Sequence, residues 1–286
     1  MPPETEAALV RSWLFVPAVR PERFAKALGS GADAVIVDLE DAVPAAQKDD
    51  ARRHALSWLT SERTADAVRC LRVNALRTAA GLRDVLALVD GGAAPEFVVV
   101  PKAESADELA LLDAVLIGPC ARTRLLPLVE TARALEAAVA IAAAPRVAGL
   151  VLGGADLAAD LGAEMSWEPL LAARARIVQA AATAGIAAID VPHLALADAG
   201  ALRDETERVR RLGFTGKLAI HPDQVATIHA AYAPSDADVE RARRVTAAVE
   251  AAGGGVVVVD GRMVDAPVVR AAARTLALAA RRAPRG

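Results

Sequence analysis

The chain has 286 residues, of which 54% are apolar, 24% charged and 3% aromatic, with a formal net charge of −3. That length holds one large α/β domain or two smaller ones, with ample material for a core. The absence of a basic block and the scarcity of aromatic residues argue against a nucleic-acid partner, and two distant cysteines, Cys70 and Cys120, argue against a disulfide scaffold or a cysteine metal site.

The opening segment, MPPETEAALVRSWLFVP, is acidic ahead of an apolar stretch too short for a signal sequence. Further on, Glu136 and Arg146 interrupt the Ala-rich stretch from 134 to 155, so it is not a membrane span. A cytoplasmic protein with no membrane partner is the expectation. Short runs rich in Val, Ile and Leu then recur at even spacing. They are SWLFV (12–16), AVIVDL (34–39), RCLRV (69–73), FVVVP (97–101), RLLPLV (124–129), VAGLVL (147–152), AAIDV (187–191) and KLAIH (217–221). Apolar residues at consecutive positions suit parallel strands buried on both faces. Segments such as SADELALLDAVL and MSWEPLLAARARIVQAAATAG carry helical spacing between them, and Gly185 stops the second. Eight strands alternating with helices predict a (β/α)₈ TIM barrel over residues 1–232. A doubly wound open sheet fits less well, because VPAVRP after the first strand lacks the glycines of a phosphate fingerprint.

Residues 233–286 form a different region. A helix (SDADVERARRVTAAVEAAG), a Gly-rich turn, one strand from Val256 to Asp260, a DG turn and a last helix from Ala266 are expected there. They read as an appended β-turn-α arm.

In a barrel, chemistry gathers at the C-terminal strand ends. Those ends present Asp38, Glu40 and Asp41; Arg72 and Asn74; Lys102 and Glu104; Glu130; Asp156; Asp190 and His193; and His221. Any one of them can be a cap or solvated turn: Asp156 can cap a helix starting near Leu157, and Glu104 can do the same after Lys102. Glu130 and Asp156 end successive strands, roughly 5 Å apart. They can therefore share one cation, and two carboxylates completed by water and substrate oxygens suit Mg²⁺. No HxxxH or HExxH spacing favours zinc. Arg72, in LRVN, can clamp a substrate carboxylate bidentately or pair with Glu40 or Asp41. Lys102 can meet the acidic rim or an anionic substrate. His193 and His221 read as packed structural residues, and His54 and His229 fall on helices.

Several segments together resemble one family. RSWLFVPAVRPERFAKALGSGADAVIVDLEDAVPAAQKDDAR, LRVNALRT, VVVPKAES, LLPLVETARAL, LGGADLAADLG, GFTGKLAIHPDQV and VVDGRMVDAP are similar, in order, to the citrate lyase β-subunit-like proteins and their malyl-CoA lyase and HpcH/HpaI aldolase relatives. The resemblance implies a Mg²⁺-dependent TIM barrel that cleaves or forms a 3-hydroxyacyl-CoA thioester, giving an acyl-CoA and a 2-oxo acid. It implies Glu130 and Asp156 as metal ligands and Arg72 as the substrate-binding and catalytic arginine. Glu40 and Asp41 become the pocket wall that orients Arg72, with Lys102 beside substrate. Asp265 becomes a catalytic aspartate, delivered by the C-terminal arm to a neighbouring subunit of a homotrimer or hexamer, with Gly253–Gly255 as hinge. By its position alone Asp265 can cap the final helix, with Pro267 just inside. Thioester hydrolysis, a β subunit serving citryl thioester on an acyl carrier protein, and a non-catalytic acyl-CoA-binding protein are the alternatives. Ala18 stands where many relatives carry glycine, and Val264 where Ile is common.

Overall fold

The computed structural model describes residues 6–253 and 256–280. Strands β1 (Ser12–Pro17), β2 (Ala34–Asp38), β3 (Val68–Arg72), β4 (Phe97–Val100), β5 (Arg124–Val129), β6 (Gly149–Leu152), β7 (Ala187–Asp190) and β8 (Gly216–Ala219) form a closed barrel in sequence order. All neighbouring pairs are parallel, and β1 closes on β8 with Ser12 opposite Lys217. Helices α1 (Phe24–Leu28), α2 (Lys48–Thr60), α3 (Ala79–Asp90), α4 (Ala106–Val115), α5 (Ala132–Glu136), α6 (Ala138–Ala142), α7 (Gly154–Asp160), α8 (Trp167–Ala184), α9 (Ala199–Leu212) and α10 (Gln224–Tyr232) alternate with the strands or follow the last of them. The eight-stranded TIM barrel is as expected.

The apolar runs become strands because both of their faces are covered. All five residues of β2, and all four of β4, β6 and β7, are buried. Inside the barrel, Trp13, Ile36, Cys70, Phe97, Val99, Leu126, Leu128, Ile189 and Leu218 form one core cluster. Trp13 meets Phe97 edge-on at 5.5 Å, and its Nε1 donates to the Val10 carbonyl at 3.2 Å. Burying such a ring stabilises the fold by roughly 2–3 kcal/mol. Gly216 allows that fit, since a Cβ there would lie 2.8 Å from Trp13 Nε1. Gly185 ends α8 in the left-handed conformation, as its position in the sequence suggests.

Two strand boundaries differ from expectation by two residues, and the others by one or none. β8 stops at Ala219, because the Gln224 side chain accepts the Ile220 and His221 N–H groups and so leaves His221 outside the strand. β6 begins at Gly149, and Val147 keeps only an isolated bridge to Leu125. Among the described residues no helix is long and apolar enough to cross a membrane.

The chain divides into two compact units, Met1–His229 and Ala230–Gly286, the division falling within α10. The second unit corrects the expected β-turn-α arm. Helix α11 (Asp236–Ala251) is followed by two strands, β9 (Val257–Val259) and β10 (Arg262–Val264), and then by α12 (Ala266–Ala280). The strands pair antiparallel around Asp260 and Gly261, both at positive φ, as a tight hairpin turn requires. Ser235 and Asp238 cap α11 reciprocally, and Ala242, Val245, Val264 and Ala272 make this unit's own core. Of the expected glycine hinge, Gly254 and Gly255 lie outside the described residues, as do the first five residues of the opening segment.

Candidate active site

At the C-terminal ends of the strands lies a cavity of about 470 Å³, with an apolar floor that includes Phe15, Leu128, Leu152 and Leu218. Its polar lining comes from Asp38, Asp41, Arg72, Glu130 and Asp156. The first four are delivered by a strand end or the turn that follows it, and Asp156 by the first turn of α7.

Asp38 and Arg72 are opposite one another in the β2–β3 register. Arg72 Nε donates to Asp38 Oδ1 and Nη2 donates to Oδ2, both at 2.7 Å. Asp38 Oδ1 also accepts the Glu40 N–H at 2.9 Å, so this carboxylate is fully engaged. The finding narrows one expectation: the Nε–Nη2 edge of Arg72 grips Asp38, so only its end-on Nη1–Nη2 edge is left for substrate. On that edge Nη1 lies 3.0 Å from Glu40 Oε2 and 3.6 Å from Asp41 Oδ2. The guanidinium carbon sits 4.9 Å from the Phe15 ring centroid. Burial pulls the Arg72 pKa down, but the Asp38 hydrogen bonds and the surrounding carboxylates outweigh it and raise the pKa.

Glu40 is buried, whereas Asp41 is 60% exposed. The Glu40 pKa is pushed up to about 7, by burial first, with Asp41 and Asp38 adding to the rise against Arg72 and Lys102. Its Oε2 touches Arg72 without hydrogen-bond alignment and has no hydrogen-bond partner among the described residues. The loop that carries Glu40 is held from behind. Lys48 Nζ donates to the Leu39 and Glu40 carbonyls at 2.7 Å, and Asn74 donates to the Leu39 carbonyl and to Asp84. Asn74 is therefore a scaffold residue of that loop and lies outside the cavity lining.

Glu130 follows β5 and is buried. Its Oε1 accepts the backbone N–H of Lys102 at 2.7 Å. Lys102 takes φ 52° to aim that N–H, a conformation a non-glycine residue adopts at a cost. Burial, then Glu40, then Asp156 raise the Glu130 pKa to about 8, against the Lys102 N–H and Arg72. The Lys102 ammonium is 43% exposed and stands 3.5 Å from Glu40 Oε1. Asp156 is exposed in the first turn of α7, whose cap is Gly153; the alternative reading of Asp156 as a helix cap is corrected. Gly153 is required where it stands: a Cβ would lie 2.3 Å from Glu130 Cβ and 2.5 Å from Glu130 Oε2.

The remaining strand-end residues are engaged elsewhere. Glu104 is paired with Arg77 and accepts from Thr131 Oγ1 at 3.0 Å, while Ser105 caps α4. His221 lies 3.5 Å from Asp223 and does not line this cavity. Asp190 and His193 belong to a separate buried network with Arg174, Glu205 and Lys217. Three of those five, Arg174, Glu205 and Lys217, were not readable as site residues, since nothing in the sequence marks a strand lysine or a helix arginine as turned inward.

A divalent cation fits the cavity's chemistry. The donors are all oxygen, the buried Glu130 has carboxylate neighbours without a cation against it, and a buried Glu40 oxygen lacks a donor. Among the described residues no cluster of three or more Asp, Glu, His or Cys is placed to hold a metal. Glu130 and Asp156 are the two lining carboxylates that could hold such a cation, with the other positions left to water and substrate.

Residues 11–222 match the family described as HpcH/HpaI aldolase/citrate lyase, and residues 171–281 match a C–C bond lyase family of the TIM-barrel fold. Citrate lyase subunit beta of Escherichia coli K12 is 38% identical over 91% of this chain and 89% of its own length. The (3S)-malyl-CoA thioesterase of Cereibacter sphaeroides is 36% identical over 94% of both chains. CitE of Mycobacterium tuberculosis, solved in complex with magnesium, acetoacetate and coenzyme A, superposes with a TM-score of 0.78. It is 37% identical and covers 95% of this chain and 98% of its own.

Proposed function

The chain belongs to the HpcH/HpaI aldolase/citrate lyase family, and we propose that it is a Mg²⁺-dependent carbon–carbon lyase. Its substrate is a 3-hydroxyacyl-CoA thioester, such as malyl-, citramalyl- or citryl-CoA, cleaved to or formed from an acyl-CoA and a 2-oxo acid. The observation that carries this proposal is the meeting of Glu130 and Asp156 in one cavity beside Arg72. The relative solved with magnesium, acetoacetate and coenzyme A supports the same ligand set.

Mg²⁺ held by Glu130 and Asp156 supplies Lewis-acid stabilisation of negative charge on the oxo acid's oxygens. Arg72 adds a second positive group. Asp38 locks its orientation, so the charge is in place before the reaction begins. Glu40 and Asp41 keep Nη1 on the cavity side. Lys102 positions Glu130 through its backbone and meets the anionic end of the substrate through its side chain. The proton at the acyl-CoA carbon is assigned to Asp265 from the C-terminal unit of a neighbouring copy in a homotrimer or hexamer. Within its own unit, Asp265 accepts the Val268 N–H at 3.3 Å and caps α12.

That dual assignment gives a clean variant. Asparagine caps helices about as well as aspartate, so Asp265→Asn is expected to melt with wild type while turnover falls by about 10²–10⁴-fold. The assay offers malyl-, citramalyl- and citryl-CoA with Mg²⁺ and follows 2-oxo acid. Oxo acid that disappears on adding EDTA and in the variant supports the lyase. No turnover of any CoA ester, with turnover of citryl thioester on an acyl carrier protein, makes the chain a complex subunit instead.

Gly153→Ala tests the metal site without touching a carboxylate. The new methyl must displace Glu130, so the Mg²⁺ concentration for half-maximal activity is expected to rise about tenfold or more. An unchanged Mg²⁺ titration would remove Glu130 from the ligand set.

A further inference from the structure

The loops that follow β7 and β8 both contribute to the wall of the main cavity. Leu194 lines it from the first loop and Ile220 from the second, and the two side chains are 59% and 40% exposed. The β7–β8 ladder ends at Asp190 opposite Lys217, short of either residue. Beyond that pair Gln224 joins the two loops. This first residue of α10 is buried, and its Oε1 accepts the Ile220 N–H at 2.9 Å and the His221 N–H at 3.3 Å. Its Nε2 donates to the His193 carbonyl at 2.7 Å. The amide stands only this way round, because the reverse would set its NH₂ group against two N–H donors and its oxygen against a carbonyl. The Gln224 backbone N–H donates in turn to the His221 carbonyl at 3.1 Å, so the amide is anchored as well as buried. Its bonds fall on Ile220 itself and on His193, the residue between the cavity-lining Pro192 and Leu194.

The wall these loops build differs from the rest of the cavity. Asp38, Asp41, Arg72, Glu130 and Asp156 carry the charge, whereas Pro192, Leu194 and Ile220 are apolar. A CoA ester is much larger than the acyl group that is cleaved, so its arm must leave the cavity across an edge. The methylenes beside its sulfur gain from apolar surface that the free protein leaves in water. Ile220 also lines an adjoining cavity of about 280 Å³ with Arg23 and Lys26, whose charges suit the phosphates at the far end of the arm. The two exposed side chains thus stand on the apolar way out, and the gap between them decides how much of the arm they cover.

We propose that Gln224 is a positioning residue for the CoA arm: by tying the β7 loop to the β8 loop it fixes the gap between Leu194 and Ile220. This rests on the CoA-thioester assignment of the main cavity. Gln224 does not line that cavity and touches no reacting atom. It acts by ordering in advance two loops whose freedom would otherwise be lost on binding. The 2-oxo acid, held among the charged groups, does not depend on it.

The test titrates free CoA, and separately glyoxylate with Mg²⁺, into wild type and variants by calorimetry. Gln224→Met keeps the length of the side chain and loses all three of its hydrogen bonds. It is expected to weaken CoA binding about tenfold and to leave glyoxylate within about twofold of wild type. Gln224→Glu retains the acceptor for Ile220 and His221 and loses only the donor to His193, so its loss is smaller. Melting curves show whether Gln224→Met is folded at the titration temperature, and Gln224→Glu carries the test if it is not. Replacing Leu194 and Ile220 together by alanine also weakens CoA, and adding Gln224→Met to that pair costs little more, since the side chains it places are gone. Unchanged CoA affinity in both Gln224 variants overturns the proposal while leaving the CoA-thioester reading intact. Equal weakening of CoA and glyoxylate overturns it as well, as do losses that multiply in full in the triple variant. A wild-type protein that binds glyoxylate with Mg²⁺ but no CoA overturns the CoA-thioester reading and this proposal with it.

Discussion

Glu130→Gln is expected to abolish Mg²⁺-dependent turnover, by about 10³-fold or more, because one of two protein ligands to a Lewis acid worth several kcal/mol is lost. The same variant is expected to leave the metal-free protein no less stable at pH 5 and more stable at pH 8. The Glu130 pKa stands at about 8 in the folded chain, against an ordinary value of 4.5. Between those values the folded state holds a proton that the unfolded state has released. Stability of the metal-free protein therefore falls as pH rises through that window. Glutamine is neutral throughout and escapes the loss. The difference between variant and wild type is expected to be below about 1 kcal/mol at pH 5 and to grow to roughly 4 kcal/mol by pH 8. Saturating Mg²⁺ reverses the order at pH 8, since only wild type gains from binding. Urea unfolding at pH 5, 6.5 and 8, with EDTA and with Mg²⁺, reads all three effects. Parallel curves for the two proteins at every pH would mean that the Glu130 carboxyl is not held in a charge-averse pocket.

The barrel was legible because its strands are buried on both faces, which leaves no polar alternation to confuse the period: AVIVD is apolar up to its last residue and FVVV is apolar throughout. The strand-end acids were legible for the same reason, since Asp38 and Glu130 come directly after the uninterrupted apolar runs AVIV and LLPLV. Their partners were not. Asp38 and Arg72 grip each other because they are opposed in the β2–β3 register, and register is a property of two strands that neither strand states alone. Glu40 and Asp41 were the expected partners of Arg72, yet they meet only the remaining edge of the guanidinium. In the tail, the DG turn was legible and the strand that returns from it was not. DG flanked by VVV and RMV is the residue pair a two-residue hairpin turn demands, and only the shortness of the second strand hid it.

Lys217 is the residue whose role the sequence conceals most. KLAIH reads as a strand that begins with a solvated lysine, but the side chain is fully buried and opposite Asp190 in the β7–β8 register. Lys217→Met preserves length and apolar stem while removing the ammonium. Asp190 then keeps only Arg174, and Glu205 keeps only His193. Stripping one partner from a buried charge pair costs about 3–5 kcal/mol, which corresponds to a fall in melting temperature of roughly 10 °C for a unit of this size. The loss has a pH signature. Burial raises the Glu205 pKa and the Lys217 charge and hydrogen bond are what hold it low, so without Lys217 it rises and the deficit is expected to shrink as pH falls toward 5 and a proton neutralises Glu205. Adding Glu205→Gln to Lys217→Met removes one stranded charge and is expected to recover about 1–2 kcal/mol, a non-additivity that isolates the pair. Thermal melts of the single and double variants at pH 5.5 and 8 decide it. A Lys217→Met protein that melts with wild type at both pH values would show the lysine to be dispensable to the barrel, and would leave Glu205 anchored by something other than charge.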